Sequence, residues 1–132
     1  MKNLLALIFL TLISISVWAD NTGVINDAKN WLQVIDREKY LESWDNSGPL
    51  FQQYLTRDSW SEKLASVRKP LGSLLLREMQ SVTETNSLPG APDGNYSVVV
   101  FDSQFEHMKK ASETLTLQKV GGNWMAIGYY IR

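Results

Sequence analysis

Pro70 divides this chain into two stretches of different apolar periodicity, and that division limits the folds open to it more than any other feature. Before Pro70 the apolar residues recur at steps of three and four, and after it they alternate or run continuously between turn signals. Val24, Ala28, Trp31, Leu32 and Ile35 predict one helix face, with Asn21 or Thr22 able to cap its start. Asp36 reads as a second cap, opening a helix over 37–44 that places Tyr40, Leu41 and Trp44 on one side. Ser47-Gly48-Pro49 interrupts the pattern, which Leu50, Phe51, Tyr54 and Leu55 resume. Thr56 caps a third helix whose inner face is Trp60, Leu64 and Val67. Pro70 ends it, because proline pushes the residue before it out of helical geometry.

The remainder reads as strands. Residues 71–85 have β-compatible ends, although Leu74 to Met79 also suits a helix. Leu88 to Gly94 is a loop by composition. Tyr96 to Phe105 is a strand, Glu106 to Lys110 turns the chain, and Ala111 to Val120 returns it. Gly121-Gly122 makes a tight hairpin into a last strand, Asn123 to Ile131. The fold class is therefore α+β: three N-terminal helices packed on a curved, mainly antiparallel four-stranded sheet. Strand parity puts Met125, Ile127, Tyr129 and Ile131 toward the helices, together with Glu113, Leu115 and Leu117. Trp124 and Tyr130 then fall on the outer face, where two large aromatics among small residues predict a homodimer interface.

Residues 1–19 have the layout of a signal peptide: Lys2, an apolar run from Leu4 to Val17, then Val17-Trp18-Ala19 before Asp20. Cleavage between Ala19 and Asp20 leaves one domain over 20–132, with no stable membrane anchor. The run is shorter than the ~20 apolar residues that span a bilayer. The whole chain has no cysteine, which excludes disulfides, thiolate metal sites and bacterial lipidation, and a periplasmic or secreted bacterial location suits such a domain. A formal net charge of −1, made more negative by loss of Lys2, gives no basic stripe for a phosphate backbone, so nucleic acid is a poor partner.

His107 is the only histidine and sits among charges at a turn, a solvated position rather than that of a base or metal ligand. No cofactor is expected. Acid–base chemistry would fall to Glu113, the one carboxylate expected inside the sheet, with Tyr40 and Tyr129 facing the same space. The simpler reading is an ion pair of Glu113 with Arg77 or Arg68 that fixes a helix against the sheet. Asp36 is more simply a cap. Trp44 and Trp60 are the tryptophans expected to border a cavity, the rest being packing residues. Tyr40, Trp44, Trp60, Arg77, Glu113 and Tyr129 are thus the candidate ligand-binding set.

The order Trp31, Asp36, Tyr40, Ser43-Trp44, Trp60, Arg68-Lys69-Pro70-Leu71-Gly72 and Arg77 resembles a bacterial family called domain of unknown function 4019. Leu88-Pro89-Gly90-Ala91-Pro92-Asp93-Gly94, Glu113 to Leu117 and Gly122-Asn123-Trp124 extend the resemblance. The family implies no activity. The helices-then-sheet order is also similar to the cone-shaped nuclear transport factor 2 and ketosteroid isomerase superfamily, which hosts enzymes, ligand carriers and dimerisation modules alike. Three readings follow: a non-enzymatic module binding a small molecule or a periplasmic protein; an isomerase- or dehydratase-like enzyme using Glu113 with tyrosines; and an accessory subunit without a pocket.

Overall fold

The computed structural model describes residues 20–132, so the signal-peptide reading of 1–19 lies outside the described residues. Helix α1 (Thr22–Asp36) buries Val24, Ala28, Trp31, Leu32 and Ile35, the face its periodicity predicts. Two short helices follow, α2 (Tyr40–Asp45) and α3 (Pro49–Tyr54), and Pro49 opens α3 where its missing N–H is not needed. Helix α4 (Arg57–Arg68) starts at Thr56, whose side chain accepts from the Ser59 N–H at 3.2 Å. It ends in a 3-10 turn, Lys69–Leu71, that contains Pro70. The inner face of α4 is Trp60, Leu64 and Arg68, at steps of four. Val67, expected inside, is exposed: the burial line runs straight down the four-residue ridge and takes in a charged residue instead.

The strands β1 (Leu74–Thr85), β2 (Tyr96–Phe105), β3 (Met108–Val120) and β4 (Asn123–Ile131) form one antiparallel sheet in chain order. The segment Leu74 to Met79 is strand, not helix. Gly121 and Gly122 turn the last hairpin with φ of 59° and 94°, the left-handed region that glycine enters without a Cβ clash. The Glu106–His107 turn joins β2 to β3 and is pinned to the start of β1, since its two N–H groups donate to Ser73 and Leu71 carbonyls at 3.0 and 2.9 Å. No helix among the described residues is long and apolar enough to cross a membrane.

The core lies between the sheet and the helices, where Val99, Phe101, Leu115 and Leu117 meet Trp31, Leu32 and Ile35, nearly all fully buried. Each such side chain contributes about 1.5–3 kcal/mol relative to exposure. A bulge breaks simple parity in β4. Leu117 pairs with Ala126 but Thr116 pairs with Gly128, leaving Ile127 as the extra residue. Residues before the bulge therefore change face. Ala126 is buried, and Trp124 packs against the core on the helix side, its backbone N–H donating to Asp27 Oδ2 at 3.0 Å. This corrects the outer-face placement of Trp124. Tyr129 packs inward and Tyr130 is exposed, so Trp124 and Tyr130 do not share a face.

Candidate functional site

Four charged side chains meet where the end of α1, the end of α4, β1 and β3 converge. Glu113 lies in the middle of β3 and is fully buried. Its inward position follows from alternation with Leu115 and Leu117. Arg77 of β1 reaches over β2 and donates from Nε to Glu113 Oε1 at 2.7 Å and from Nη2 to Oε2 at 3.2 Å. Its other edge faces Asp36, donating from Nη1 to Oδ2 at 2.7 Å and from Nη2 to Oδ1 at 2.9 Å. Arg68 joins the same carboxylate, donating from Nη2 to Asp36 Oδ1 at 3.0 Å. Two cations and two anions thus close on one another with no net charge.

Glu113 has further partners. The Ser103 hydroxyl of β2 donates to Oε1, and the Tyr129 hydroxyl of β4 donates to Oε2. Each oxygen therefore receives one guanidinium N–H and one hydroxyl, and all four strands contribute to a single buried carboxylate group. Burial, then the adjacent Glu113 charge, pushes the Tyr129 phenol well above its ordinary pKa, so it stays a donor. Burial works against the charge of Arg77, yet its hydrogen bonds to Asp36 and Glu113 outweigh it and hold the guanidinium above its ordinary value. A carboxylate has about four lone-pair sites, and these four donors take them, so Glu113 serves as a structural anchor.

Asp36 is not the cap of a new helix. It is the last residue of α1, and α2 begins at Tyr40 without a side-chain cap. The α1 terminus is closed by backbone bonds instead, Glu38 N–H to the Ile35 carbonyl and Lys39 N–H to the Val34 carbonyl, with Glu38 at φ 59°. That is the Schellman arrangement, and it uses a glutamate where glycine is usual.

Next to this network lies an open cleft of about 340 Å³, bordered by Asp36, Glu38, Tyr40, Arg68, Ser73 and Glu106. It sits between the α1–α2 junction, the end of α4 and the turn after β2. Glu106 is already engaged, accepting from the Ser73 N–H at 2.8 Å, which lowers its pKa. Tyr40 is buried at the cleft wall, and burial followed by the Glu38 charge raises its pKa.

Of the residues singled out from sequence, Arg77, Glu113 and Tyr129 come together, while Tyr40 stands apart from them on the cleft. Trp60 and Trp44 belong to the helical layer. The Trp60 indole packs edge-on to Phe51 and 6.2 Å from Trp31, donating to the Ser43 hydroxyl, and the Trp44 indole donates to the Leu55 carbonyl at 2.9 Å. Neither borders Glu113. Trp31 links the two groups by meeting Tyr129 edge-to-face at 5.7 Å. Sequence reasoning missed Asp36 as a member of the network, and it offered Arg68 as a partner of Glu113, whereas Arg68 pairs with Asp36 and Arg77 takes Glu113. The signal was present for Arg68, which continues the Trp60–Leu64 ridge. No group of three or more histidine, aspartate or glutamate side chains among the described residues is placed to hold a metal ion.

Fold and site together define a single α+β domain tied by a buried ion network. The family model described as protein of unknown function (DUF4019) matches residues 27–129, and the chain belongs to that family. The matched span includes Asp36, Arg68, Arg77, Glu113 and Tyr129. No curated protein matches the sequence.

Proposed function

We propose that this chain is an exported, non-enzymatic binding module, cut between Ala19 and Asp20, that takes a small molecule in the cleft beside Arg68. The observation that carries this reading is the saturation of Glu113. An isomerase- or dehydratase-like mechanism needs a carboxylate with a free lone pair near the substrate. Both Glu113 oxygens are instead spoken for by Arg77, Ser103 and Tyr129 inside the core. The cleft, by contrast, is open and bordered by Arg68. Export is supported by the Lys2, apolar-run and Ala19 pattern.

Native mass spectrometry of protein recovered from the periplasm tests both parts. The expected result is a chain starting at Asp20 with a small molecule retained and lost on denaturation. An intact Met1 on membrane-bound protein contradicts export, and a ligand-free protein alongside turnover that requires Glu113 contradicts the binding reading.

A further inference from the structure

The two arginines of the buried network are unequally satisfied. Arg77 makes four hydrogen bonds to carboxylate oxygens. Arg68 makes one, through Nη2 to Asp36, although its side chain is only 4% exposed. Its Nε and Nη1 are buried and have no acceptor. Leaving a buried donor unpaired is costly, more so when it belongs to a charged group. The Phe105 ring, 4.8 Å from the Arg68 Cζ, offers a π face but no lone pair that would satisfy an N–H. Arg68 is also the member of the network, with Asp36, that lines the open cleft, and Arg37 and Lys69 stand on the same cleft. None of the ion pairs among the described residues engages Arg37 or Lys69.

We propose that the cleft binds a small organic carboxylate, with Arg68 as its charged anchor and Lys69 and Arg37 at the rim. The inference rests on the binding reading above and names the ligand class. A carboxylate suits the site because it brings acceptors of opposite charge to the Arg68 Nε and Nη1 groups, which lack them, and such charge-assisted bonds are the stronger kind. Only Nη2 of Arg68 is tied to Asp36, so Nε and Nη1 are the groups that an entering carboxylate would engage. Asp36 is shared between Arg77 and the Nη2 of Arg68, which leaves Nε and Nη1 of Arg68 for an incoming acceptor. Glu38 and Glu106 on the cleft wall restrict binding to small anions that stay clear of them.

The test follows the Arg68 Nε–H resonance of the purified protein by nitrogen-15 NMR while acetate, succinate or choline chloride is added at constant ionic strength. The expected result is a saturable shift with acetate or succinate and none with choline. Arg68→Lys, which keeps the charge and the Asp36 contact, should weaken succinate binding about tenfold, read on cleft backbone resonances. Lys69→Gln, a surface change that leaves the fold intact, should weaken it a few-fold and guards against a folding defect in the first variant. No saturable shift with either carboxylate, or an affinity unchanged in both variants, overturns the proposal. Saturable binding of choline in the cleft overturns the carboxylate class while leaving the binding module standing.

Discussion

Arg77 and Glu113 meet through two hydrogen bonds of 2.7 and 3.2 Å, a side-on pairing that joins β1 to β3 across the strand between them. Because the opposite edge of the same guanidinium holds Asp36, the sheet is also tied to the end of α1. A residue that an enzyme could have used as its base is here the point where four strands and a helix are fastened.

Tyr129 makes that arrangement sensitive to alkali. Its pKa in the folded protein lies above the value near 10 expected of an unfolded tyrosine. The neutral phenol is therefore favoured by folding. Its contribution is fully present below about pH 10 and is lost as pH rises through the higher folded value. Tyr129→Phe should flatten the fall in stability above about pH 10, measured by urea unfolding at stepped pH. An alkaline limb as steep as that of the wild type would count against the phenol–carboxylate contact.

Gly48 brings the start of α3 onto β4, donating its N–H to the Ala126 carbonyl at 2.7 Å. A Cβ there would lie 2.9 Å from Ile127 Cγ2 and 3.4 Å from the Ala126 oxygen. Ile127 Cγ2 sits on a β-branched carbon with restricted χ1, so it cannot simply swing away. Gly48→Ala should lower stability by about 1–3 kcal/mol in chemical denaturation, as overpacking does. An unchanged midpoint would show that the helix–bulge contact is looser than the geometry indicates.

Glu38 occupies the left-handed position after α1 at φ 59°, where a side chain costs about 1–2 kcal/mol. Glu38→Gly should raise the melting temperature, with a gain of about 1 kcal/mol once the greater chain entropy of glycine is set against the relief. A lower melting temperature would mean that the Glu38 side chain itself supports the cleft wall.

How much of this was legible in the sequence depends on the range over which each feature is decided. The α1 face, the Thr56 cap, the Gly121-Gly122 hairpin and the inward Glu113 are set by neighbours a few residues apart, and periodicity reports them. Trp124 was misplaced because one extra residue at Ile127 reverses parity for everything before it in β4, and no local pattern marks that bulge. Asp36 reads as a cap in the sequence because a carboxylate at a helix boundary looks the same in either role. Its partners Arg68 and Arg77 stand 32 and 41 residues away. The choice between Arg77 and Arg68 for Glu113 was likewise open until the strands were in register, and Arg77 lies opposite Ser103, the residue that also donates to Glu113.

The central claim, that Glu113 is a structural anion rather than a poised acid, is tested most directly by urea unfolding of Glu113→Gln beside the wild type. The amide keeps the shape but removes the charge facing Arg77, whose side chain is only 8% exposed. Breaking one side of a buried pair costs about 3–5 kcal/mol, a large share of the roughly 5–15 kcal/mol that a domain possesses. The expected result is a midpoint shifted strongly downward with an unchanged slope. A variant as stable as the wild type, or more so, would contradict the account and return Glu113 to consideration as a catalytic acid or base.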